Sequence, residues 1–418
     1  MTHCGLDFGT SNSVVAHAER GTVSVLELEP GRRVLPSALF FDEELAETAI
    51  GSEAVERYLG GSEGRLMRAL KSVLGSDLMN SKTRVLGHSV SFTDILIGFH
   101  RDLRRRAEAV LDRPITQAVI GRPVHFHNRD HDADARAAET LETVARAAGY
   151  QDIVLLFEPL AAAVAFEATV SRETLVMVAD LGGGTSDFSI SRLSPDRRRL
   201  ADRSSDVLAA TGLRLGGTDL DRRLSLAEIM PHLGLGSRLK DRRLTAPNWI
   251  YQKLVTWSEI NQLYAPSMRP DLQWLKLNAG GDIRIERLLN VIAGRHGHRL
   301  ASDVETAKIT LSDRERAEIA ATYAGLDTPI AINRPKRDAA FRDDLTRLTE
   351  TAEQCIRQAG IQPDRLDAIM FTGGTSAMST VRQAIQRAAP SAEPLDFDRM
   401  GAVGQGLALS AERVFGRR

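Results

Sequence analysis

Two short glycine-rich segments carry groups that could hold a phosphorylated ligand. GLDFGTSNS covers residues 5–13, and ADLGGGTSD covers residues 179–187. Each has an aspartate, Asp7 or Asp180, before the glycines and a Thr-Ser pair after them. Such turns present several backbone N–H groups to a phosphate, and glycine allows close approach. Because a carboxylate repels a bare phosphate, the pattern predicts Mg²⁺ between them, held by Asp7 and Asp180 through water.

Two further glycine pairs extend this pattern. RLGGTDLD covers residues 214–221, and FTGGTSA covers residues 371–377. A single glycine-rich turn is more often a plain tight hairpin, but repeated Gly-Thr turns favour ligand binding. The sequence has no Gly-Lys-Ser/Thr element, so it is not a P-loop protein. The predicted nucleotide contacts are Gly9, Thr10, Ser11, Asn12, Gly182, Gly183, Gly184, Thr185, Gly216, Gly217, Gly373, Gly374 and Thr375.

Alternating strand and helix signals surround these turns and indicate an α/β fold. Both glycine-rich loops lie between strand-like runs, which predicts hairpins. Strands are predicted at residues 14–19, 118–120, 153–157, 175–178, 188–193 and 366–372. Helices are predicted at residues 132–148, 343–359 and 401–414, and in an Ala-rich segment with Pro159 at its first position. Residues 222–312 have the least regular pattern and read as an inserted helical subdomain.

Composition bounds the functional class. A chain of 418 residues is too long to fold around one hydrophobic core, so at least two domains or lobes are expected. A net charge of −1 gives no reason to expect nucleic acid or an anionic membrane as a partner. There is no apolar run of about 18 residues and no secretory signal pattern. Cys4 and Cys355 match no metal spacing, which favours a reduced, cytoplasmic setting.

Clusters of basic residues and histidines receive a plain interpretation. The basic clusters at residues 104–106, 197–199 and 238–243 have polar or acidic neighbours and are typical of solvated surface. The stretch HFHNRDH at residues 125–131 follows a strand and lacks a known zinc spacing. We therefore expect no metal ligation there.

The motifs together resemble the nucleotide-binding domain of the 70-kilodalton heat-shock chaperone family, in order and over nearly the whole chain. The family's two phosphate loops resemble the two segments described first. Its other segments resemble ALKSVLG around Lys71, AVIGRPVHFHN, FEPLAAAVAF at residues 157–166, ETAKITLS at residues 305–312 and FTGGTS. The resemblance implies an actin-like ATPase fold with two α/β lobes, each with a core and a variable subdomain.

The resemblance also implies roles for individual residues. Lys71 would act on the γ-phosphate, and Glu158 would help to order the attacking water and the water around magnesium. Asp180 would act as general base or position the water, with Asp7 anchoring the metal's water shell. Thr10 and Thr185 would present hydroxyl groups to the phosphates, and Asp187 would support the second loop. Lys71, Glu158, Asp180 and Thr185 are thus the predicted catalytic residues.

The nucleoside is expected to contact a helix that carries Glu305, Lys308 and Ser312. Their spacing of three and four residues puts them on one helix face, which suits a ribose and a base edge. Gly373 and Gly374 would let backbone approach the nucleoside. Ile309 and Ala377 depart from the arginines that commonly flank adenine in the family. Affinity for ATP is therefore expected to be micromolar, with a reduced preference over GTP.

The predicted domains follow the lobes. Lobe I covers residues 1–171, with a core at about 1–36 and 115–171 and a variable subdomain at about 37–114. Lobe II covers residues 172–418, with a core at about 172–221 and 313–418 and a helical subdomain at about 222–312. The sequence resembles the short, YegD-like members that stop after this domain, so binding of unfolded peptide is not expected.

Three functions remain open. The favoured one is a slow, Mg²⁺-dependent ATPase whose lobes move with the nucleotide and signal to a protein client or co-chaperone. The second is a nucleotide-dependent binding module with negligible turnover, which single-turnover hydrolysis would separate from the first. The third is a small-molecule kinase of the same superfamily, and no sugar-binding segment supports it. A filament-forming protein ranks lower still. The sequence leaves the oligomeric state open.

Overall fold

A computed structural model describes residues 2–124, 126, 131–167, 169–197, 204–241, 243–257, 259–396 and 401–416. His125 and His127 of the His-rich stretch lie outside these residues, and so do Arg198, Arg199 and Arg242 of the basic clusters.

The strands and helices follow the predicted α/β alternation. The strands are β1 (Thr2–Phe8), β2 (Asn12–Glu19), β3 (Thr22–Val25), β4 (Leu35–Pro36), β5 (Ala38–Asp42), β6 (Glu47–Ile50), β7 (Gly64–Arg68), β8 (Lys82–Val85), β9 (His88–Ser91), β10 (Ile115–Arg122), β11 (Asp152–Phe157), β12 (Thr174–Leu181), β13 (Ser186–Leu193), β14 (Val207–Leu213), β15 (Arg316–Ile319), β16 (Ile330–Asn333), β17 (Ala368–Thr372) and β18 (Glu393–Asp396). The helices are α1 (Ser52–Leu59), α2 (Phe92–Leu111), α3 (His131–Ala148), α4 (Glu158–Glu167), α5 (Gly217–Leu224), α6 (Asn248–Val255), α7 (Arg269–Asn278), α8 (Ile283–Ala293), α9 (Gly297–Asp313), α10 (Arg334–Gln358), α11 (Ser379–Gln386) and α12 (Ala402–Phe415).

The chain forms two compact units. The larger comprises Met1–Gly216, Leu348–Ser376 and Val381–Arg418, and the smaller comprises Gly217–Arg347 and Ala377–Thr380. The larger unit contains one sheet in the order β11-β10-β1-β2-β3 and another in the order β14-β13-β12-β17-β18. Helices α4 and α12 pack on each other, α12 against β1, β2 and β10, and α4 against β12 and β13. The two helices therefore join both sheets in one core.

The alternation of side chains along β12 and β17 places polar residues at the carboxyl ends of these buried strands. Val176 and Val178 of β12 and Met370 of β17 are buried in the cluster that includes α4 and α12. Side chains two positions apart lie on the same face of a strand. The apolar face therefore continues to Asp180 on β12 and to Thr372 on β17, both near the carboxyl ends of their strands. Polar side chains are placed at one edge of a rigid, buried sheet.

The smaller unit is mainly helical. It contains α5 to α9 and the antiparallel hairpin β15–β16. Leu288 and Val291 of α8 and Leu300 and Val304 of α9 are among its buried apolar side chains. Helix α9 carries the predicted nucleoside residues. The predicted lobe boundaries differ from these two compact units and stay a prediction.

Most predicted elements are confirmed, with two differences at helix starts. Helix α4 begins at Glu158, so Pro159 is its second residue and not its first. Helix α10 begins at Arg334, nine positions before the predicted residue 343. Asn333 caps this helix, because its side-chain oxygen accepts a hydrogen bond from the Lys336 N–H at 3.0 Å. This start signal was not among the predictions from the sequence.

Within the described residues, no helix has both the length and the apolar composition needed to cross a membrane.

Candidate functional site

The two glycine-rich loops fold as equivalent hairpin turns. In the first, the Gly9 N–H donates to the Asn12 carbonyl at 3.0 Å, and in the second, the Gly182 N–H donates to the Thr185 carbonyl at 2.9 Å. In each hairpin one strand pair lies between the turn and the pair that contains the aspartate. Asp7 pairs with Val14 in the first hairpin, and Asp180 pairs with Asp187 in the second. The two aspartates are therefore structurally equivalent. The Thr-Ser pairs are offset: Thr10 is the second residue of its turn, and Thr185 is the fourth of the other.

The first turn is fixed by a neighbouring serine. The Ser37 hydroxyl donates to the Gly9 carbonyl at 2.8 Å, and the Ser37 N–H donates to the Ser11 carbonyl at 2.9 Å. Ser13 and Ser37 share a further hydrogen bond of 2.9 Å. These contacts hold the backbone of the first turn in place. A Cβ at Gly184 would lie 3.4 Å from Thr10 Cγ2, so the two turns are close together.

The second turn packs against both remaining glycine pairs. A Cβ at Gly216 would lie 2.5 Å from the carbonyl of Gly183. Gly373 has a φ of 76° and would place a Cβ 2.3 Å from the Leu181 carbonyl. Only glycine accepts both that dihedral angle and that contact. The Thr375 hydroxyl completes the join by donating to the Gly182 carbonyl at 2.9 Å. The predicted glycine turns at 182–184, 216 and 373 thus meet at one place.

A buried ion pair lies beside the turns. Lys71 Nζ donates to Glu158 Oε1 at 2.5 Å, and both side chains are buried. Lys71 sits in a short helix, Leu70–Val73, which begins after Ala69 in the left-handed conformation with a φ of 57°. Glu158 starts α4 directly after β11. Residues 87 positions apart are thereby brought into contact, and both belong to the set predicted to be catalytic.

Gly121 makes room for this glutamate and was not among the predicted site residues. A Cβ at position 121 would lie 2.9 Å from Glu158 Cγ and 3.1 Å from Leu407 Cδ1. A larger residue at the end of β10 would displace the glutamate that holds Lys71. The available sequence signal was the glycine that closes a buried strand in AVIGRP.

The carboxylates around Lys71 outnumber it. Burial and the neighbouring Glu158 raise the pKa of Asp7 well above its usual value, and Asp180 adds to the effect. Burial and Glu158 likewise raise the pKa of Asp180 to about 6. Burial, with a contribution from Asp180, raises the pKa of Asp187 to about 7. Burial alone would lower the pKa of Lys71, but Glu158 and Asp7 raise it above its usual value. The cluster is an acidic site with a deficit of positive charge.

Two threonine hydroxyls modulate these acids. Thr185 donates to Asp187 Oδ2 at 2.9 Å, so Asp187 contacts the second loop, which it was predicted to support. Thr372 donates to Asp180 Oδ1 at 2.9 Å. Both hydrogen bonds favour the ionised carboxylate and so lower the pKa that burial raises. Thr372 was not among the predicted residues, although it directly precedes the Gly373–Gly374 pair.

The predicted nucleoside residues lie on α9 of the smaller unit. Glu305 and Ser312 are partly exposed, whereas Lys308 is buried. Lys308 Nζ forms an ion pair with Asp221 Oδ1 at 2.8 Å and donates to the Gly217 carbonyl at 3.0 Å. Lys308 therefore ties α9 to the start of α5, a contact that the sequence did not predict. Ile309 is exposed on the same helix.

The acidic cluster suits a hard cation bound through water. Among the described residues, no group of three or more His, Cys, Asp or Glu side chains is arranged to ligate a metal directly. The charge of Glu158 is nevertheless close enough to Asp7 and Asp180 to raise the pKa of both. Magnesium prefers oxygen ligands and retains several water molecules. The donor set of this cluster therefore fits Mg²⁺.

Comparison with known proteins relates these features to one family. A family profile described as "Hsp70 protein" matches residues 3–230 and 292–416. The "Chaperone protein DnaK" from one strain of Thermus thermophilus is 26% identical over 439 aligned residues, covering 99% of the chain and 61% of that relative. The protein of the same name from a second strain of that species is 25% identical with the same coverage. The chain thus spans about three fifths of the length of these relatives.

Proposed function

Since the chain belongs to the Hsp70 protein family, we propose that it binds ATP with Mg²⁺ at the acidic cluster and hydrolyses it slowly. The family membership confirms the actin-like ATPase fold predicted from the sequence. The single observation that supports the function best is the buried Lys71–Glu158 pair beside two equivalent glycine turns. The carboxylates around this pair carry more negative charge than Lys71 can neutralise.

Magnesium and phosphate account for the charge arrangement of the cluster. Asp7 and Asp180 would hold the ion through water, as predicted, and its charge would favour their ionised forms. When bound, the ion supplies positive charge that offsets the phosphate oxygens. The backbone N–H groups of residues 10–12 and 183–185 would then face the phosphates, with the Thr10 and Thr185 hydroxyls beside them.

The residues of the cluster support hydrolysis as follows. A water molecule attacks the γ-phosphorus, the bond to the β–γ bridging oxygen breaks, and ADP leaves with that oxygen. Asp180 orients the water and accepts its proton. Lys71 places a fixed positive charge on the γ-phosphate, where negative charge shifts during the transfer. Glu158 keeps Lys71 in position through the 2.5 Å hydrogen bond and helps to order the water.

Contacts to the nucleoside complete the proposed binding mode. Glu305, Lys308 and Ser312 on α9 share one helix face and would contact the ribose. Gly373 and Gly374 would let backbone approach the base. The ion pair with Asp221 leaves Lys308 fewer free donors than the sequence suggested. An ammonium has three donors, so one remains for a ribose hydroxyl.

The wider role is proposed from the family. ATP binding would change the arrangement of the lobes, because the ligand favours whichever arrangement gives it more contacts. Small-angle scattering should then differ between the nucleotide-free chain and the chain with ATP and Mg²⁺. Identical profiles under confirmed binding would argue against this movement. A protein client or co-chaperone would bind differently to the two arrangements. We place this role in the cytoplasm.

Single-turnover hydrolysis tests the proposed function. Enzyme in excess over radiolabelled ATP should convert the nucleotide to ADP in the presence of Mg²⁺ and not in EDTA. Glu158→Gln is an informative variant because it keeps the shape of the side chain and removes the charge that pairs with Lys71. Binding of ATP without any conversion would leave a nucleotide-dependent binding module. Absence of both binding and conversion would reject the proposal.

A further inference from the structure

The register of the second sheet places Thr372 directly beside Asp180. Strands β12 and β17 run parallel, and these two residues are paired in that ladder. Paired residues on neighbouring strands point to the same face. The hydroxyl of Thr372 lies 2.9 Å from Asp180 Oδ1, and the threonine is 1% exposed. This hydrogen bond is therefore built into the sheet and does not depend on a mobile surface group.

The equivalent aspartate of the first hairpin lacks such a partner. Strand β1 pairs with β10 in a parallel ladder that reaches Leu6, the residue before Asp7, whereas the β12–β17 ladder includes Asp180 itself. Within the described part of the chain, no hydroxyl donates to the Asp7 carboxylate. The two aspartates thus differ in their hydrogen bonding, although the two turns have the same backbone hydrogen bond. Of the two, Asp180 is the one held by a buried donor.

We propose that Thr372 is a positioning residue, which fixes the Asp180 carboxylate in the orientation that presents its other oxygen to the attacking water. This inference rests on the proposed ATPase function and deepens it. The hydroxyl engages Oδ1 and leaves Oδ2 available. A carboxylate held at one oxygen by a rigid strand cannot turn freely about its last side-chain bond.

The Gly373 turn that follows makes the position of Thr372 rigid. Gly373 packs against the Leu181 carbonyl, and Thr375 donates to the Gly182 carbonyl at 2.9 Å. The backbone after Thr372 is thereby attached to the loop that starts at Asp180. A general base within hydrogen-bond reach of its proton depends on such placement, and misplacement by about 1 Å can reduce a rate by a hundredfold.

Three variants test the proposal. Thr372→Val keeps the branched shape and removes the hydroxyl, and Thr372→Ser keeps the hydroxyl. The matched control is Thr211→Val on β14, because the buried Thr211 hydroxyl also donates a hydrogen bond, but to the Thr351 carbonyl at 3.1 Å and not to a carboxylate of the cluster. Measurements are kcat and KM for ATP with Mg²⁺, thermal unfolding, and a crystal structure of each Thr372 variant.

Thr372→Val should lower kcat by about tenfold or more and change KM by no more than about twofold, since hydrogen bonds to charged groups are among the stronger ones. Thr372→Ser should restore most of the rate. Thr211→Val should lower thermal stability similarly and leave kcat unchanged. In the crystal structure, Asp180 should be rotated or in two orientations in Thr372→Val and ordered in Thr372→Ser.

The crystal structures keep the proposal separate from the ATPase function. If the wild-type chain hydrolyses no ATP, the proposed function fails, while the orientation of Asp180 still decides whether Thr372 positions it. An unmoved Asp180 in Thr372→Val overturns the proposal. So does an equal loss of kcat in the valine and serine variants, or an equal loss in Thr211→Val.

Discussion

Two buried lysines of this protein, Lys71 and Lys308, have similar surroundings at first sight. Each is less than a tenth exposed, and each contacts one carboxylate, Glu158 at 2.5 Å or Asp221 at 2.8 Å. The difference lies in what surrounds the pair. Lys308 also donates to the Gly217 carbonyl, so its pair is balanced and bonded. Lys71 stands among further carboxylates, and Asp7 and Asp180 share its charge.

This contrast separates a structural ion pair from a functional one. A balanced pair fixes the contact between two helices, here α9 and α5. An unbalanced cluster stores repulsion among its carboxylates, which a bound cation relieves. Perturbed proton affinities of this kind concentrate at functional sites. We therefore expect Lys308 to contribute chiefly to stability and Lys71 chiefly to catalysis.

Removing Lys308 is expected to have the largest effect on folding. Lys308→Met leaves the largely buried Asp221 without this partner, which should destabilise the chain by about 3–5 kcal/mol. Urea unfolding measures this loss. The double variant Lys308→Met with Asp221→Leu should recover part of it, because no unpaired charge remains. The value of kcat at saturating ATP should change much less than the stability. Unchanged stability would remove the structural role assigned to Lys308.

Removing Lys71 is expected to affect catalysis most. Lys71→Ala should bind ATP nearly as well as the wild type but hydrolyse it ~10²-fold or more slowly, because a positioned charge acts mainly on the transition state. Single-turnover assays give the rate, and calorimetry gives the affinity. For the hydrolysis rate at saturating nucleotide, and not for the affinity, Lys308→Met is the control for loss of a buried lysine. Hydrolysis at the wild-type rate would exclude Lys71 from the mechanism.

An Asp→Asn change should have opposite effects on folding stability at Asp180, beside Lys71, and at Asp221, beside Lys308. Burial and Glu158 raise the pKa of Asp180 to about 6, above its ordinary value of 3.8. Between these values the native state binds more protons than the unfolded state, so stability falls as pH rises towards 6 and stays lower above it. Asp180→Asn should therefore stabilise the nucleotide-free chain by about 1–3 kcal/mol at pH 8 and by little at pH 4.

Asp221→Asn provides the contrast, because it removes the partner of Lys308. It should destabilise the chain at pH 8. Urea unfolding in EDTA at both pH values measures both variants. Destabilisation by Asp180→Asn at pH 8 would mean that the cluster gains stability from its charges, contrary to the comparison.

The smallest effect is expected away from both lysines. Ile309 is exposed on α9, and Ala377 is partly exposed after the Gly373 turn. An arginine plane stacks on a base with on the order of 1–3 kcal/mol. Ile309→Arg or Ala377→Arg should therefore tighten ATP binding by roughly tenfold per 1.4 kcal/mol gained and sharpen the preference over GTP, with kcat unchanged. Calorimetry decides this. If neither variant tightens binding, these positions do not face the base.

The sequence predicted what local patterns control. Glycine between strand-like runs predicted both hairpins, and the apolar run at residues 153–157 with Pro159 after it predicted a strand followed by a helix, with the helix start one residue too late. The α/β fold follows from this alternation. The convergence of Lys71 and Glu158 came from the family resemblance, since no local pattern relates residues 87 positions apart.

The sequence could not predict contacts that depend on register and on side-chain length. Thr372 meets Asp180 only because β17 pairs with β12 in one particular register. Gly121 is needed because a Cβ at this position would lie 2.9 Å from Glu158 Cγ. The engagement of Lys308 by Asp221 depends on how α5 and α9 pack, which the helical spacing of Lys308 does not reveal.

Calorimetric titration of the wild-type chain with ATP, in Mg²⁺ and in EDTA, tests the central claim most directly. A cluster with excess carboxylates should bind the triphosphate weakly on its own and well with the cation. We expect micromolar affinity in Mg²⁺ and a loss of at least roughly tenfold in EDTA, with Asp180→Asn reducing that difference. Equal affinity in Mg²⁺ and EDTA, or no binding in either, would contradict the assignment of the Lys71 cluster as the magnesium–phosphate site.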